Sequence, residues 1–432
     1  MKTRLDRLVR SIVLGLAFAA ASVSIPSPSF AQAQTQNQIQ ASGDFFTVSG
    51  TVRDRQSGRP VSNVSVSVPE TRIGTVTNAD GTFSIKIRYD MERRELEFSH
   101  LGYRLQRLPV EGKDRTGLTI DLEQEAIVLT DVVVVDHEAR ALVEEAMRRI
   151  GSNYSDRATL LTGFYRETAQ KRSNYINISE AVVEIYGTPY TEGVRGERLR
   201  IVKGRQLVSP RTSDTLGVKL QGGPNTYFYC DIVKNRELVL DPEILDHYRF
   251  RLESPAVIDE RPHYCIAFEP QMSFSDRALF VGRLYIDRES FTISRAEYAF
   301  DMRDRDKVTG MILRRKPLSL RFNPDEVSYV LGYRQRDGRS YLYYIGVRLR
   351  FRCDWRRRLF ATNYSILSEM VITDGRDEGV APPSFRQSFR EDQSLSDRVG
   401  DFYDAGFWEA YNIIEPTESL ESAVDRLKRR IE

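Results

Sequence analysis

The chain has 432 residues, 63 of them basic and 61 acidic, for a formal net charge of +2, and 41% of its residues are hydrophobic. A balance this close to neutral argues against a protein dedicated to nucleic acid, and a chain this long can bury two cores. Three cysteines, Cys230, Cys265 and Cys353, without a Cys-x-x-Cys, leave two readings open. Either Cys230 and Cys265 form a disulfide in an oxidising compartment, or the thiols are free and buried.

Residues 1–31 are expected to be a secretory signal peptide. Lys2, Arg4, Arg7 and Arg10 precede an uncharged, mostly apolar run from Ser11 to Ile25, then Pro26, Pro28 and the small-residue site Ser29-Phe30-Ala31. The run is shorter than the roughly 20 residues of a membrane span. Removing 1–31 leaves 59 basic and 60 acidic side chains, a net of −1. No cysteine near the cleavage region suggests lipid attachment, and residues 32–43 read as a polar, Gln-rich linker. No later segment is apolar enough to span a membrane.

From 44 to 124 the pattern has period two. Val48, Gly50 and Val52 alternate with polar residues, as do Val64, Val66 and Val68, then Phe83, Ile85 and Ile87, then Leu96 and Phe98, then Leu118, Ile120 and Leu122. Such runs predict strands with one buried and one wet face. Turn signals at Ser57-Gly58, Asn63, Asn78-Ala79-Asp80-Gly81 and Gly102 separate them. The expected unit is a small β-sandwich of the seven-strand type.

Gly50 to Asp54, Pro60 to Val64, Thr77 to Ile85 and His100-Leu101-Gly102-Tyr103 resemble the carboxypeptidase-regulatory-like (transthyretin-like) domain common in Bacteroidetes envelope proteins. Residues 127–135 look like the segment that follows this domain in TonB-dependent outer-membrane receptors. The resemblance implies an accessory module and not a peptidase. No receptor plug or long barrel follows in the sequence, so a receptor function is not implied.

Residues 125–158 are expected to hold a connecting strand and a helix. In Asp136 to Gly151, Ala139, Leu142, Val143, Ala146, Met147 and Ile150 share one helical face. Asp136 is placed to cap the helix, and Gly151 to close it. From 159 to 374 longer strands return: Asn174–Tyr186, Arg198–Lys203, His263–Phe268, Leu279–Asp287 with Gly282 as a bend or bulge, Phe291–Phe300, Tyr341–Phe351 and Arg358–Thr373. Turns are expected at 288–290, Asp337-Gly338 and 354–357. Residues 204–245 interrupt the pattern and read as a helical excursion. Short links between strands predict a large antiparallel sheet that curls on itself into a half-barrel. The fold class is therefore mainly β. The polar tail, 375–432, ends in a short helix from Glu418 to Ile431, with Leu420, Val424, Leu427 and Ile431 on one side. Its aromatic cluster, Phe402, Tyr403, Phe407, Trp408 and Tyr411, is expected to dock on the body of the protein.

Phe164-Tyr165-Arg166-Glu167, Gly282 to Asp287 and Phe407 to Asn412 resemble motifs of uncharacterised Bacteroidetes proteins that follow the regulatory-like domain. The strand-turn-strand 284–293 and the curved sheet are similar to periplasmic lipoprotein carriers of the LolA/LolB type. The chain departs from the carriers in length, in the 204–245 insertion and in the fused sandwich.

No catalytic, cofactor or metal site can be read. His100, His137, His247 and His263 lack ligand spacing, and no H-E-x-x-H, G-x-S-x-G, P-loop or G-x-G-x-x-G occurs. Asp301, Asp304 and Asp306 alternate with basic residues and read as a solvated loop; Asn78, Asp80 and Gly81 read as a turn. Two surfaces remain. Tyr341, Tyr343, Ile345, Val347, Leu349 and Phe351 would give one strand a continuous apolar face, to be covered by the helix, by the aromatic tail or by a lipidic ligand. A basic set runs from Arg314, Arg315, Lys316 and Arg321 through Arg334 and Arg336 to Arg348, Arg350, Arg352, Arg356, Arg357 and Arg358. It would be either a cationic patch for an anionic headgroup or glycan, or the wet face of a sheet. The expected function is non-enzymatic: a binding or scaffold protein of the periplasm or the periplasmic side of the outer membrane. Its partner would be an envelope protein or a lipid, with no nucleic acid and no membrane span in the mature chain. The alternative is an envelope hydrolase acting on glycan or peptide through an unrecognised carboxylate site.

Overall fold

The computed structural model describes residues 45–91, 95–125, 136–211, 214, 218–220, 222–271, 277–356, 360–390, 393, 395, 398–401 and 407–431. The expected signal peptide and linker, the segment 127–135, and Phe402 and Tyr403 lie outside them.

The alternating runs of the N-terminal third form seven strands: β1 Phe45–Asp54, β2 Ser65–Ser67, β3 Gly74–Val76, β4 Thr82–Arg88, β5 Glu95–Ser99, β6 Gln106–Pro109 and β7 Arg115–Leu122. They make a three-stranded sheet, β4-β1-β7, and a four-stranded sheet, β3-β2-β5-β6. Phe46, Val48, Val52, Val64, Val66, Phe83, Ile85, Ile87, Leu96 and Phe98 meet in one core between them. The turn at 78–81 is fixed by Asn78, whose Oδ1 accepts from the N–H of Asp80 and of Thr82, both at 3.0 Å, and by Gly81 at φ 72°.

The helix Asp136–Arg148 and a further turn, Ile150–Asn153, lead into the larger sheet. Its strands are β8 Thr159–Lys171, β9 Asn174–Gly187, β10 Arg198–Val208, β12 Tyr248–Ile258, β13 Arg261–Pro270, β14 Phe280–Asp287, β15 Ile293–Phe300, β17 Leu320–Arg336, β18 Arg339–Trp355, β19 Thr362–Arg376 and the two-residue β20 Gly400–Asp401. A separate ribbon pairs β11, Lys219–Leu220, with β16, Leu313–Arg315. The large sheet runs β12-β13-β14-β15-β17-β18-β19-β8-β9-β10-β20 and does not close into a barrel. Every neighbouring pair is antiparallel except β10 and β20.

This order explains the irregular segment before Tyr248. After β10 the chain stands near one edge of the sheet, and the next strand of that sheet, β12, is at the other edge. The crossing chain carries Val218, Tyr227, Phe228, Ile232, Val233, Val239, Leu240 and Leu245 into the large core, together with Ala139, Val143, Ala146 and Ile150 of the helix. The crossing holds helical turns at Thr226–Tyr229, Arg236–Leu238 and Pro242–Leu245. They are short pieces whose packing, not propensity, holds them.

Several expectations need correction. Gly282 is no bulge: it pairs in register with Phe268 and Tyr298. A Cβ there would lie 2.3 Å from the Glu297 carbonyl oxygen, so close backbone approach is what requires glycine. The expected tight link at 354–357 falls later, because β18 continues through Trp355 and β19 begins at Thr362. The loop expected around Asp301 to Asp306 contains a helix, Arg305–Ile312, capped by Asp304, whose Oδ1 accepts from Lys307 N at 3.1 Å.

Candidate functional site

The two faces of the large sheet have different covers. On the inner face, Ile345, Leu349 and Phe351 of β18 are buried with the helix and the crossing chain, so part of the apolar stripe is core. The stripe is not continuous. The β17–β18 ladder shifts between Gly332 and Tyr333, inserting Tyr343 as an extra residue. Leu342, not Tyr341 or Tyr343, pairs with Tyr333 and is fully buried. Tyr341 and Tyr343 instead lie beneath guanidinium groups, those of Arg72 at 5.2 Å and of Arg334 at 4.5 Å. Val347 is half-buried at the margin of the core.

Where the crossing chain meets this face it is held by polar contacts. Tyr227 Oη donates to Leu342 O at 2.6 Å, and Leu342 N donates to Tyr190 Oη at 3.1 Å. Asp231 accepts from Tyr333 Oη at 2.6 Å, from Tyr190 Oη at 3.0 Å and from the N–H of Val233 at 3.0 Å. Burial pushes its carboxyl above the usual range, and the Tyr333 and Tyr190 hydroxyls, with the N–H and the charge of Lys234, oppose the shift. Nearby, Lys234 is ion-paired with Glu197, and both are buried. These groups satisfy one another inside the core.

The outer face carries the sandwich and the C-terminal tail. Val76 of the sandwich packs with Phe164, Val182, Tyr344 and Val371 of the sheet and with Trp408 and Ile414 of the tail. Trp408 meets Phe164 edge-on at 5.3 Å, so the aromatic tail docks on the face opposite the helix. The tail is stitched to both neighbours. Thr75 Oγ1 donates to Ile413 O at 2.7 Å, Asn78 Nδ2 to Pro416 O at 2.9 Å, and Arg166 Nη2 to Ile414 O at 2.8 Å. Asn412 accepts from Lys86 N at 2.6 Å and donates to Lys86 O at 3.1 Å. Beneath the tail, Glu180 accepts from Arg166 Nε at 2.7 Å and Arg205 Nε at 2.8 Å. Burial alone would raise this carboxyl; the two guanidiniums outweigh it and hold it below the usual carboxylate range. The terminal helix, Glu418–Ile431, lays Leu420 and Leu427 on Ile178 and Leu207.

Beside the sandwich the outer face stays open across β12, β13, β14, β15 and β17. A groove of about 480 Å³ has Ala267, Val281, Ala299 and Ser328 along its floor, with Arg249, Arg251, Glu269 and Arg283 exposed around it. The register places Ala299 opposite Ser328, and Ser328 opposite Arg348, so the groove runs toward β18.

Arg348, Arg350 and Arg352 are exposed on this outer face. Arg350 pairs with Glu326 at 3.4 Å, and Arg352 makes two 3.1 Å contacts with Asp325. Those two belong to a neutralised wet face. Arg356 is exposed in the following turn, and Arg357 and Arg358 lie outside the described residues. His263 is buried, in hydrogen-bond contact with Arg261 O and Ser294 Oγ, both at 2.8 Å. The side chain of His137 lies outside the described residues. The three thiols are free, and burial raises each, Cys230 to about 12 and Cys265 and Cys353 to about 11. Cys230 borders the inner core, whereas Cys265 packs beneath Leu101 of the sandwich. Among the described residues no three His, Cys, Asp or Glu side chains converge on a metal-sized site. No described helix is long and apolar enough to cross a membrane.

Residues 48–135 match the family described as CarboxypepD_reg-like domain, about a fifth of the chain. No curated protein matches the sequence. Solved structures with a similar fold include a domain from Vibrio parahaemolyticus described as outer membrane lipoprotein-sorting, 11% identical, which covers 57% of this chain and 95% of its own with a TM-score of 0.28. A DUF1329 family protein from Desulfovibrio piger is 11% identical, over 56% of this chain and 95% of that one, at a TM-score of 0.23. A LolA superfamily protein from Nitrosomonas europaea is 14% identical, over 57% and 97%, at 0.19.

Proposed function

We propose that the chain is a non-enzymatic binding scaffold of the cell envelope, exported by its N-terminal segment, which holds a protein partner in the open groove of the large sheet. The observation that carries this reading is the contrast between the faces. The inner face is occupied by the chain's own helix and crossing segment, leaving a lipid little room there, whereas the outer groove is open and floored by small side chains. Its rim of arginine and glutamate suits a polar, protein-like contact more than an acyl chain. The matched domain supports an accessory role, since it is a regulatory-like module fixed beside the groove.

The test is native purification from the envelope followed by mass spectrometry, for the parent and for Ala299→Arg, which fills the groove floor. A protein recovered in stoichiometric amount with the parent and lost with the variant supports the scaffold. A stoichiometric lipid, unaffected by Ala299→Arg, would move the function to a lipid carrier. Release of peptide or sugar fragments from envelope material by the purified chain would establish the hydrolase alternative.

A further inference from the structure

The two most exposed large hydrophobic side chains of the described residues are Leu318, at 96% of its free surface, and Phe360, at 78%. They are 42 positions apart in sequence but lie at the same end of the sheet. Leu318 is in the turn before β17, and Phe360 in the turn between β18 and β19. The two turns touch: Leu320 pairs with Trp355, and Arg356 N donates to Ser319 O at 3.2 Å. The β8–β9 turn lies beside them, with Arg172 N donating to Asn363 O at 2.8 Å.

The described charges of these two turns are basic. Residues 313–321 contain Arg314, Arg315, Lys316 and Arg321 and no acid, and Arg356 follows β18 in the second turn. Arg314, Arg315, Lys316, Arg321 and Arg356 are exposed, and none is in an ion pair among the described residues. The nearest acid in the ladder, Asp354, lies opposite Arg321. This separates the tip from the middle of β18, where Glu326 and Asp325 neutralise Arg350 and Arg352.

We propose that this tip docks the protein on a bilayer surface bearing anionic phospholipid headgroups. Leu318 and Phe360 enter the headgroup–acyl boundary, and the basic residues meet the phosphates. Two exposed apolar side chains on turns that carry exposed basic residues fit an interface that is apolar below and anionic above. A peptide groove would be concave, and a duplex would have no use for the apolar pair. Ser328 on the groove floor is 8 residues along β17 from Leu320, about 26 Å in an extended strand, so docking would hold the groove of the preceding section off the bilayer. The inference is independent of that groove, and either can fail alone.

The experiment uses the exported chain without residues 1–31, so that the apolar stretch Ser11–Ile25 does not contribute. Sedimentation with vesicles is expected to show binding to an equimolar mixture of phosphatidylcholine and phosphatidylglycerol but not to phosphatidylcholine alone, and weakening with added salt. The double variant Arg314→Gln/Arg315→Gln should lower the partition coefficient about 25-fold, roughly fivefold for each basic residue. Leu318→Ser/Phe360→Ser should lower it at least about tenfold. Both should keep the parent's thermal transition, since the replaced side chains are exposed. Lipids brominated on the acyl chain should quench Trp355, at the tip, and not the buried Trp408. Equal binding to phosphatidylcholine alone, or unchanged binding by both variants, would overturn the proposal. A Leu318→Ser/Phe360→Ser variant that loses self-association while still binding vesicles would instead assign the tip to a second copy of the chain.

Discussion

The two faces of the large sheet are covered by the same polypeptide in different ways. The inner face is sealed by a continuous apolar core contributed by the linking helix and the crossing chain. The outer face is covered by a separately cored sandwich and by a tail that joins it through small apolar clusters, around Trp408 and along the terminal helix, and through hydrogen bonds at Thr75, Asn78, Lys86 and Arg166. Apolar burial is non-directional and collective, so the inner cover cannot leave without loss of the sheet. A hydrogen-bonded seam contributes little net free energy per bond and exchanges those bonds for water when it opens. The inner face therefore belongs to the fold, and the outer face is where a module can be fixed, repositioned or joined by a partner.

The sharpest way to break this comparison is to truncate one side chain on each face. Phe351→Ala removes a fully buried ring stacked on Tyr364 at 5.4 Å and tilted against Phe322 at 4.8 Å. It should cost about 3–5 kcal/mol and lower the urea midpoint of the whole large sheet. If the sheet kept the parent's midpoint, the inner face would not be the core described.

Glu180→Gln attacks the outer face at a deeply buried charge cluster. Arg166 and Arg205 would face a neutral amide, at about 3 kcal/mol or somewhat more. The parent should show the matching pH dependence. The folded carboxyl lies below its unfolded value, so its contribution is fully present above about pH 4.3 and is lost as pH falls through the folded value. A variant with the parent's acid sensitivity would remove Glu180 as its source.

Asn412→Ala tests the seam more gently. It removes two hydrogen bonds to the Lys86 backbone and leaves that N–H to find water, at about 1–3 kcal/mol. The effect should be local: faster amide exchange in β4 and in residues 407–416, with β17 and β18 unchanged. Exchange that rose equally throughout would show that the seam and the sheet open together. A companion measurement takes residues 44–124 alone. With its own core, this fragment is expected to give a cooperative thermal transition, and an unfolded fragment would mean the sandwich depends on the seam.

How much of this was legible depends on the range of the interaction. The sandwich could be read because each strand buries one face of a period-two pattern and each turn has its own chemistry, down to Asn78 and Gly81. The long strands β9, β14 and β18 could be read for the same reason. The bulge at Tyr343 could not: Tyr341 to Ile345 carries an apolar or aromatic side chain at every position, so the pattern does not say where the faces switch, and only the β17 partner, at Gly332, dictates the extra residue. Nor could the role of the crossing chain, since its helical turns are short and its apolar residues follow no period. What demands it is the strand order, a property of the whole sheet. Arg350 and Arg352 read as a patch because Asp325 and Glu326 lie a strand away. The cap at Asp304 was visible, three residues before Lys307, and signals the helix that alternating charges disguise.

The smallest effect concerns the crevice between the sandwich and the sheet. His100 sits there with its Nδ1 2.9 Å from Leu101 O and its ring edge-on to Tyr103 at 5.3 Å. Burial, helped by Arg295, lowers its pKa to about 4, while Leu101 O and Glu297 act the other way. The unfolded imidazole takes its proton near pH 6.5. Above that pH both states are neutral and nothing is lost. Between 6.5 and about 4 the unfolded chain binds a proton that the folded chain refuses, so stability falls as pH falls, by at most about 1.4 kcal/mol per pH unit. Urea midpoints measured from pH 7 down to 5, above the range where ordinary carboxylates titrate, should decline in the parent and decline less in His100→Asn, where buried His263, its pKa also lowered by burial, still contributes. The proton signals of the His100 ring should show no midpoint near 6.5. A ring that titrated at its ordinary value would be wet, and the sandwich would then rest on the sheet less closely than its hydrogen bonds to Arg334 and the tail require.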